Sequence, residues 1–142
     1  MSRRKGFTMV ELMIVIVIVA ILASVAIPML RGRIERAKFT EGMAACSSIA
    51  TSIMAYVAEN PDEDIAIDSL GLEVELGFAS ADLEGKYFAQ EDYEITAGSY
   101  DADTGAITYT IVGDPSKDNA PDGTITLTRT ADGVSTFSYS TP

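Results

Sequence analysis

The fold is decided by residues 5–30, which read KGFTMVELMIVIVIVAILASVAIPML. The part from Leu12 to Leu30 is a run of 19 residues without a charge. As a helix rising about 1.5 Å per residue, it spans a hydrocarbon core of roughly 30 Å, so the sequence predicts a membrane helix. Glu11 stands at the start of this run. A carboxylate there is costly in lipid, which makes Glu11 a candidate functional residue in need of a cationic partner.

A cleaved secretory signal peptide is an alternative interpretation of the same region. A basic start, an apolar centre and the small-residue site Ser24-Val25-Ala26 are typical of such peptides, and cleavage there would release a soluble protein beginning at Ile27. Basic residues flank the run on both sides, so their distribution does not predict its orientation.

The composition of the chain excludes much common chemistry. Its 142 residues include no His and no Trp, and Cys46 is the single cysteine. His-ligated metals, catalysis by Ser-His or Cys-His pairs and an internal disulfide are therefore excluded. Cys46 is interpreted as a small apolar core residue rather than a reactive thiol.

Charge is segregated along the chain, whose net charge is −11. Residues 42–142 hold 18 acidic and three basic side chains, a net charge of −15. Because such a surface repels a phosphate backbone, we expect no nucleic acid to bind this acidic head.

After Leu30 the pattern becomes amphipathic. Apolar residues recur at steps of three and four and predict one buried helix face, formed by Phe39, Met43, Cys46, Ala50, Ile53 and Val57. Asn60 and Pro61 are a stop signal, so one helix is predicted from Phe7 to Glu59. Pro28 predicts a bend near residues 24–28 or, alternatively, only marks the end of the spanning segment.

The rest of the chain is predicted to form a small sheet. Residues 61–86 are interpreted as an irregular connection. Short runs of alternating polarity predict strands at residues 93–96, 106–112, 124–130 and 134–139. The predicted fold is thus α+β, with a long N-terminal helix packed on an antiparallel sheet of three to four strands.

Residues 3–60 resemble the N terminus of type IV pilins and of the related type II secretion pseudopilins. The resemblance rests on the Gly-Phe-Thr-x-x-Glu block ahead of an uncharged helix. It implies that a prepilin peptidase cuts after Gly6, that Phe7 becomes the N-methylated first residue, and that Glu11 is the fifth. Pro28 also matches many members, whereas Ala20 departs from them, since many carry a Gly there.

The resemblance divides the chain into four parts: a basic leader (1–6), a membrane and assembly helix (7–30), the amphipathic half of the same helix (31–60) and a globular head (61–142). It implies a structural, non-enzymatic subunit that forms a homo-oligomeric helical filament. Expected partners are the prepilin peptidase/methyltransferase, an inner-membrane assembly platform and, before assembly, membrane lipid. The implied location is the bacterial inner membrane as a single-pass protein, then an extracellular pilus or a periplasm-spanning filament.

Glu11 and Pro28 are the residues expected to act in assembly. In a filament, Glu11 is expected to pair with the Phe7 amine of a neighbouring subunit and to set axial register. No cofactor is expected. Some pseudopilins bind Ca²⁺, which makes Asp114, Asp118 and Asp122 weak candidates, although their spacing is not that of an EF-hand and a solvated acidic loop is preferred.

Three other functions stay open at this point. The chain could be a pseudopilin, or a soluble exported Ca²⁺-binding domain released by signal peptidase. A membrane-tethered enzyme using Glu91, Asp92 and Glu94 is the third. The resemblance does not choose between major and minor subunits, or between adhesion, motility, DNA uptake and secretion.

Overall fold

The computed structural model describes residues 6–140. The chain divides into two compact units, with the boundary in the sequence between Glu35 and Arg36. The basic residues of the predicted leader, Arg3, Arg4 and Lys5, lie outside the described residues.

Helix α1 extends from Met9 to Glu59, so the unit boundary falls within its sequence. The predicted start at Phe7 is two residues too early, because Thr8 caps the helix. The predicted end is confirmed: the Asn60 N–H donates to the Val57 carbonyl at 3.1 Å, and the Asn60 side chain donates to the Tyr56 carbonyl at 2.9 Å. Pro28 lies inside α1, with helical residues on both sides.

The second unit holds an antiparallel sheet of five strands in the order β1-β2-β3-β4-β5. The strands are β1 (Ile65–Ala66), β2 (Tyr93–Asp101), β3 (Ala106–Gly113), β4 (Thr124–Arg129) and β5 (Ser135–Ser140). The predicted antiparallel sheet is confirmed, but it has five strands rather than the expected three to four. The extra strand, β1, has only two residues, too few for an alternating pattern.

Strand β2 is also longer than predicted. It continues five residues past Thr96, where the register with β3 shifts between Ile95 and Ala97. A register shift of this kind breaks the alternation of inward and outward side chains. The alternating pattern therefore stops at Thr96 although the strand does not.

The core of the second unit lies between α1 and the sheet. The predicted helix face is confirmed, with Met43 partly buried and the other five residues buried. Ile49 is buried beside them, and the sheet contributes Ile95, Tyr109, Ile111, Ile125 and Leu127.

Gly42 of helix α1 packs tightly against Phe88 of the connecting loop and Ile125 of β4. A Cβ placed there would lie 2.8 Å from Cζ of Phe88 and 3.2 Å from Cγ2 of Ile125. A side chain at this position would require Phe88 or Ile125 to move, so this part of the core favours glycine.

Candidate processing and assembly site

The predicted cleavage site lies just before α1. Gly6 and Phe7 are exposed and have no regular secondary structure, and the Phe7 side chain is 80% exposed. Exposed segments outside regular structure are the preferred substrates of proteases. The Gly6–Phe7 bond is therefore sterically open to a peptidase.

Thr8 and Glu11 form a reciprocal cap at the start of α1. The Thr8 N–H and hydroxyl donate to the Glu11 carboxylate at 3.1 and 2.9 Å, and the Glu11 N–H donates to the Thr8 hydroxyl oxygen at 3.2 Å. This arrangement is a capping box, which satisfies backbone donors that the first helical turn leaves unpaired. Glu11 is thus bound within its own chain by neutral groups.

In this uncleaved single chain the partner of Glu11 is Thr8. The expected pairing with the Phe7 amine of a neighbouring subunit concerns the cleaved chain and stays a prediction, whereas the Thr8 cap was not predicted. The signal was present in the sequence, because Thr-x-x-Glu ahead of an apolar run is the standard pattern of a capping box.

The first unit carries its apolar side chains on the outside. Every large apolar residue from Phe7 to Leu30 is at least half exposed, and α1 is long and apolar enough to cross a membrane. An exposed apolar surface of this extent marks a site of contact with lipid or protein. Pro28 lies within this surface.

Glu41 makes a long-range structural contact that the sequence analysis did not predict. Its carboxylate accepts backbone N–H bonds from Lys86, Tyr87 and Phe88 at 3.0, 2.7 and 2.9 Å. These bonds hold the connecting loop against α1 across more than 40 residues of sequence. No side-chain signal could reveal them, since all three donors belong to the backbone.

The loop is shaped to receive this carboxylate. A Cβ at Gly85 would lie 2.2 Å from Oε1 of Glu41, so a side chain at this position would displace the carboxylate. The Lys117 amine donates to the Gly85 carbonyl at 2.6 Å and forms a salt bridge with Glu84. The Lys117 hydrogen bond holds the pKa of Glu84 below its ordinary value.

Asp92, one of the carboxylates considered for catalysis, has structural partners instead. It is buried, and it accepts the N–H groups of Ala89 at 2.7 Å and of Ser116 at 3.1 Å. Glu91 and Glu94 are exposed. Asp92 therefore joins the turn before β2 to the loop after β3.

The weak Ca²⁺ candidates do not come together. Among the described residues, no group of three His, Cys, Asp or Glu side chains is placed to hold a metal ion. Asp114, Asp118 and Asp122 belong to the loop between β3 and β4, where the Asp114 N–H donates to the Asp92 carbonyl at 2.9 Å.

Cys46 lies in the core, as its place on the apolar face predicted. Burial raises the pKa of its thiol to about 12. Because the thiolate is the reactive form, this cysteine is chemically inert in the folded head.

Comparison with known protein families bears on both units. Residues 1–27 match the prokaryotic N-terminal methylation motif. Residues 35–141 match the family of pilins, which form bacterial filaments. Two separate matches thus cover the leader with the apolar helix and the head.

Curated relatives carry related names. A fimbrial protein of Dichelobacter nodosus is 37% identical over 98 residues, which are 63% of this chain and 59% of that protein. The chain thus spans about three fifths of that relative's length. A type IV major alpha-pilin of Moraxella bovis is 32% identical over 94% of this chain and 84% of its own length. The chain belongs to the type IV pilin family of structural filament subunits.

Proposed function

We propose that the chain is cut between Gly6 and Phe7 by a prepilin peptidase and N-methylated at Phe7. It is then held in the inner membrane by the first unit and polymerised through that same apolar surface into a pilus. The observation that carries the proposal is the exposure of every large apolar side chain from Phe7 to Leu30 beside a methylation motif.

The energetics favour a buried destination for this surface. Fully burying one large apolar side chain is worth roughly 1.5–3 kcal/mol, and Leu12–Leu30 contributes such a side chain at most positions. Lipid covers these apolar side chains before assembly, and the same surface of other subunits covers them afterwards. Because the buried apolar area is nearly the same in lipid and in the filament, polar groups must direct the transfer from one to the other.

Glu11 is the group that directs this transfer. Cleavage after Gly6 removes three positive charges, creates an amine at Phe7 and leaves Thr8 in place to bind the Glu11 carboxylate. The carboxylate is therefore satisfied while a subunit is stored. In the filament it exchanges the Thr8 hydroxyl for the Phe7 amine of a neighbour, which adds the attraction of a second, opposite charge to the hydrogen bond.

We assign no catalytic activity to the chain. The support is its family, whose members are structural, together with the structural partners of Asp92.

The test is the intact mass and N-terminal sequence of the protein from a bacterium with its own prepilin peptidase. A chain that starts at Phe7 and carries one extra methyl group is expected in the membrane and filament fractions. A soluble chain that starts at Ile27 would overturn the proposal. Gly6→Val is the matched variant, since it blocks cleavage at this bond and leaves the apolar helix intact.

A further inference from the structure

Among residues 6–140, no strand pairs with the outer edge of β5. It is the last strand in the sheet order and is six residues long. The opposite edge is the two-residue strand β1, which directly follows the acidic run Asp62-Glu63-Asp64. Short edge strands and nearby charges are ways in which proteins prevent unwanted strand pairing. Strand β5 is longer than β1 and carries no charged side chain itself, although Asp132 lies in the turn before it and Arg129 pairs with Ser135.

The hydrogen bonds of the last hairpin show which backbone groups point away from the sheet. The Thr130 N–H donates to the Val134 carbonyl at 3.0 Å, which makes these residues a hydrogen-bonded pair. Such pairs alternate with non-bonded pairs along an antiparallel ladder, whose register here continues to Thr124 and Ser140. The N–H and C=O groups of Ser135, Phe137 and Tyr139 therefore point outward.

The open edge is also the neutral part of an acidic head. No residue after Asp132 has a charged side chain, whereas residues 42–132 hold 18 acidic side chains. Tyr139 on this strand is half exposed, although its ring contacts Phe39 at 5.1 Å between centroids and its hydroxyl donates to the Met43 sulfur at 2.9 Å. A strand added at this edge would cover the rest of that ring.

We propose that the β5 edge pairs with the β5 edge of a second copy of this chain, antiparallel and about a two-fold axis at Phe137. In this register Ser135 lies opposite Tyr139 of the second copy. All six outward N–H and C=O groups of each β5 strand then form hydrogen bonds with the other copy. Thr136 then lies directly opposite Ser138.

A second copy fits this edge for electrostatic and geometric reasons. Two strongly acidic heads repel each other, so they approach at lowest cost where both are neutral. A two-fold contact between identical strands is self-complementary. The paired strands are short and bury far less than a standard interface of about 1,600 Å², so the contact between two subunits is weak.

The test uses the full chain in detergent micelles, before any filament forms. Thr136→Cys and Ser138→Cys chains are made with different tags, each in a Cys46→Ala background. Three samples are then oxidised: each variant alone, and a mixture of the two. Residues opposed in a non-bonded pair have Cα atoms about 4.5 Å apart, within disulfide reach. Identical positions are diagonal neighbours about 7–8 Å apart, which is too far.

We expect the mixed sample to form severalfold more disulfide dimer than either variant alone. Equal yields in the three samples, or no dimer in any, would overturn the proposal. As a second measurement, Ser138→Asp is expected to reduce dimer formation in chemical crosslinking severalfold, while Ala131→Asp in the hairpin turn leaves it unchanged. Equal effects of the two substitutions would also contradict the pairing.

This inference stands apart from the proposed filament role. Processing at Gly6 and filament formation are measured on the same variants by mass and electron microscopy. Loss of edge pairing with normal filaments rejects only the β5 contact, whereas failure of processing in the parent chain rejects only the filament role.

Discussion

In residues 6–35 the large apolar side chains lie at the surface, whereas in residues 36–140 most of them are buried or partly buried. Ile16 is 59% exposed and Ile125 is fully buried, although both are isoleucines in regular secondary structure. Apolar residues therefore serve two purposes in this chain. In the second unit they form a core that stabilises a single subunit, and in the first unit they form a surface that other molecules must cover.

The largest effect on the free energy of unfolding is expected when the same type of side chain is shortened in the second unit rather than in the first. Ile125→Ala is expected to lower the free energy of unfolding of the head by roughly 2–5 kcal/mol, because it leaves a cavity in a packed core. Ile16→Ala is expected to change it by less than about 0.5 kcal/mol. Denaturant unfolding of the full chain in detergent, followed by tyrosine near-ultraviolet circular dichroism, measures both. Equal losses would show that the first unit also contributes to the core.

A smaller effect is expected where a polar side chain stabilises the second unit. Glu41→Ala leaves three backbone N–H groups of the connecting loop without their acceptor, at a cost of about 1–3 kcal/mol. Glu59→Ala is the matched control, since Glu59 is an exposed residue of the same helix. The same unfolding experiment applies. A loss no larger than that of the control would mean that water replaces the carboxylate.

The dependence of head stability on pH sharpens the comparison further. Lys117 holds the pKa of Glu84 below its ordinary value of 4.5. A carboxyl group with a lower pKa in the folded state stabilises the fold above its unfolded pKa, and this contribution is lost as the pH falls through the folded pKa.

Glu84→Gln is therefore expected to narrow the gap between the unfolding free energies at neutral pH and below about pH 4. Glu91→Gln also removes one carboxylate but leaves the Lys117 contact intact, so it is the control. Unfolding titrations at several pH values measure the gap. An unchanged gap in Glu84→Gln would show that solvent screens this exposed pair completely.

The smallest effect is expected for chemical modification of the Cys46 thiol in the folded chain. Because burial raises the pKa of this thiol to about 12, a thiol reagent at pH 8 is expected to leave it unmodified in the folded chain and to modify it in denaturant. Absorbance of the released reagent group measures the reaction. Rapid modification of the folded chain would mean that the core around α1 opens easily.

The sequence was most informative where a periodic pattern is long. The apolar run and the helix face from Phe39 to Val57 predicted α1 and its buried side, because burial selects side chains at helical spacing. Strand β1 and the second half of β2 escaped prediction, one because it is short and the other because of the irregularity near Thr96.

The polar contacts were harder to predict, for two different reasons. The contact of Glu41 with the loop depends on backbone donors 45 to 47 residues away, which leave no pattern in the sequence. The Thr8–Glu11 cap is local and its spacing is visible in the sequence, so it could have been predicted. Cleavage at Gly6 and methylation of Phe7 stay predictions of the family resemblance.

The central claim is that the exposed surface of the first unit is the assembly surface and that Glu11 directs its use. The most direct test compares the parent chain, Glu11→Ala and Glu59→Ala in a bacterium that assembles the filament, with mass spectrometry of the membrane fraction and electron microscopy of sheared filaments. We expect all three chains to start at Phe7 in the membrane, and only Glu11→Ala to form no filaments. Normal filaments from Glu11→Ala would contradict the account.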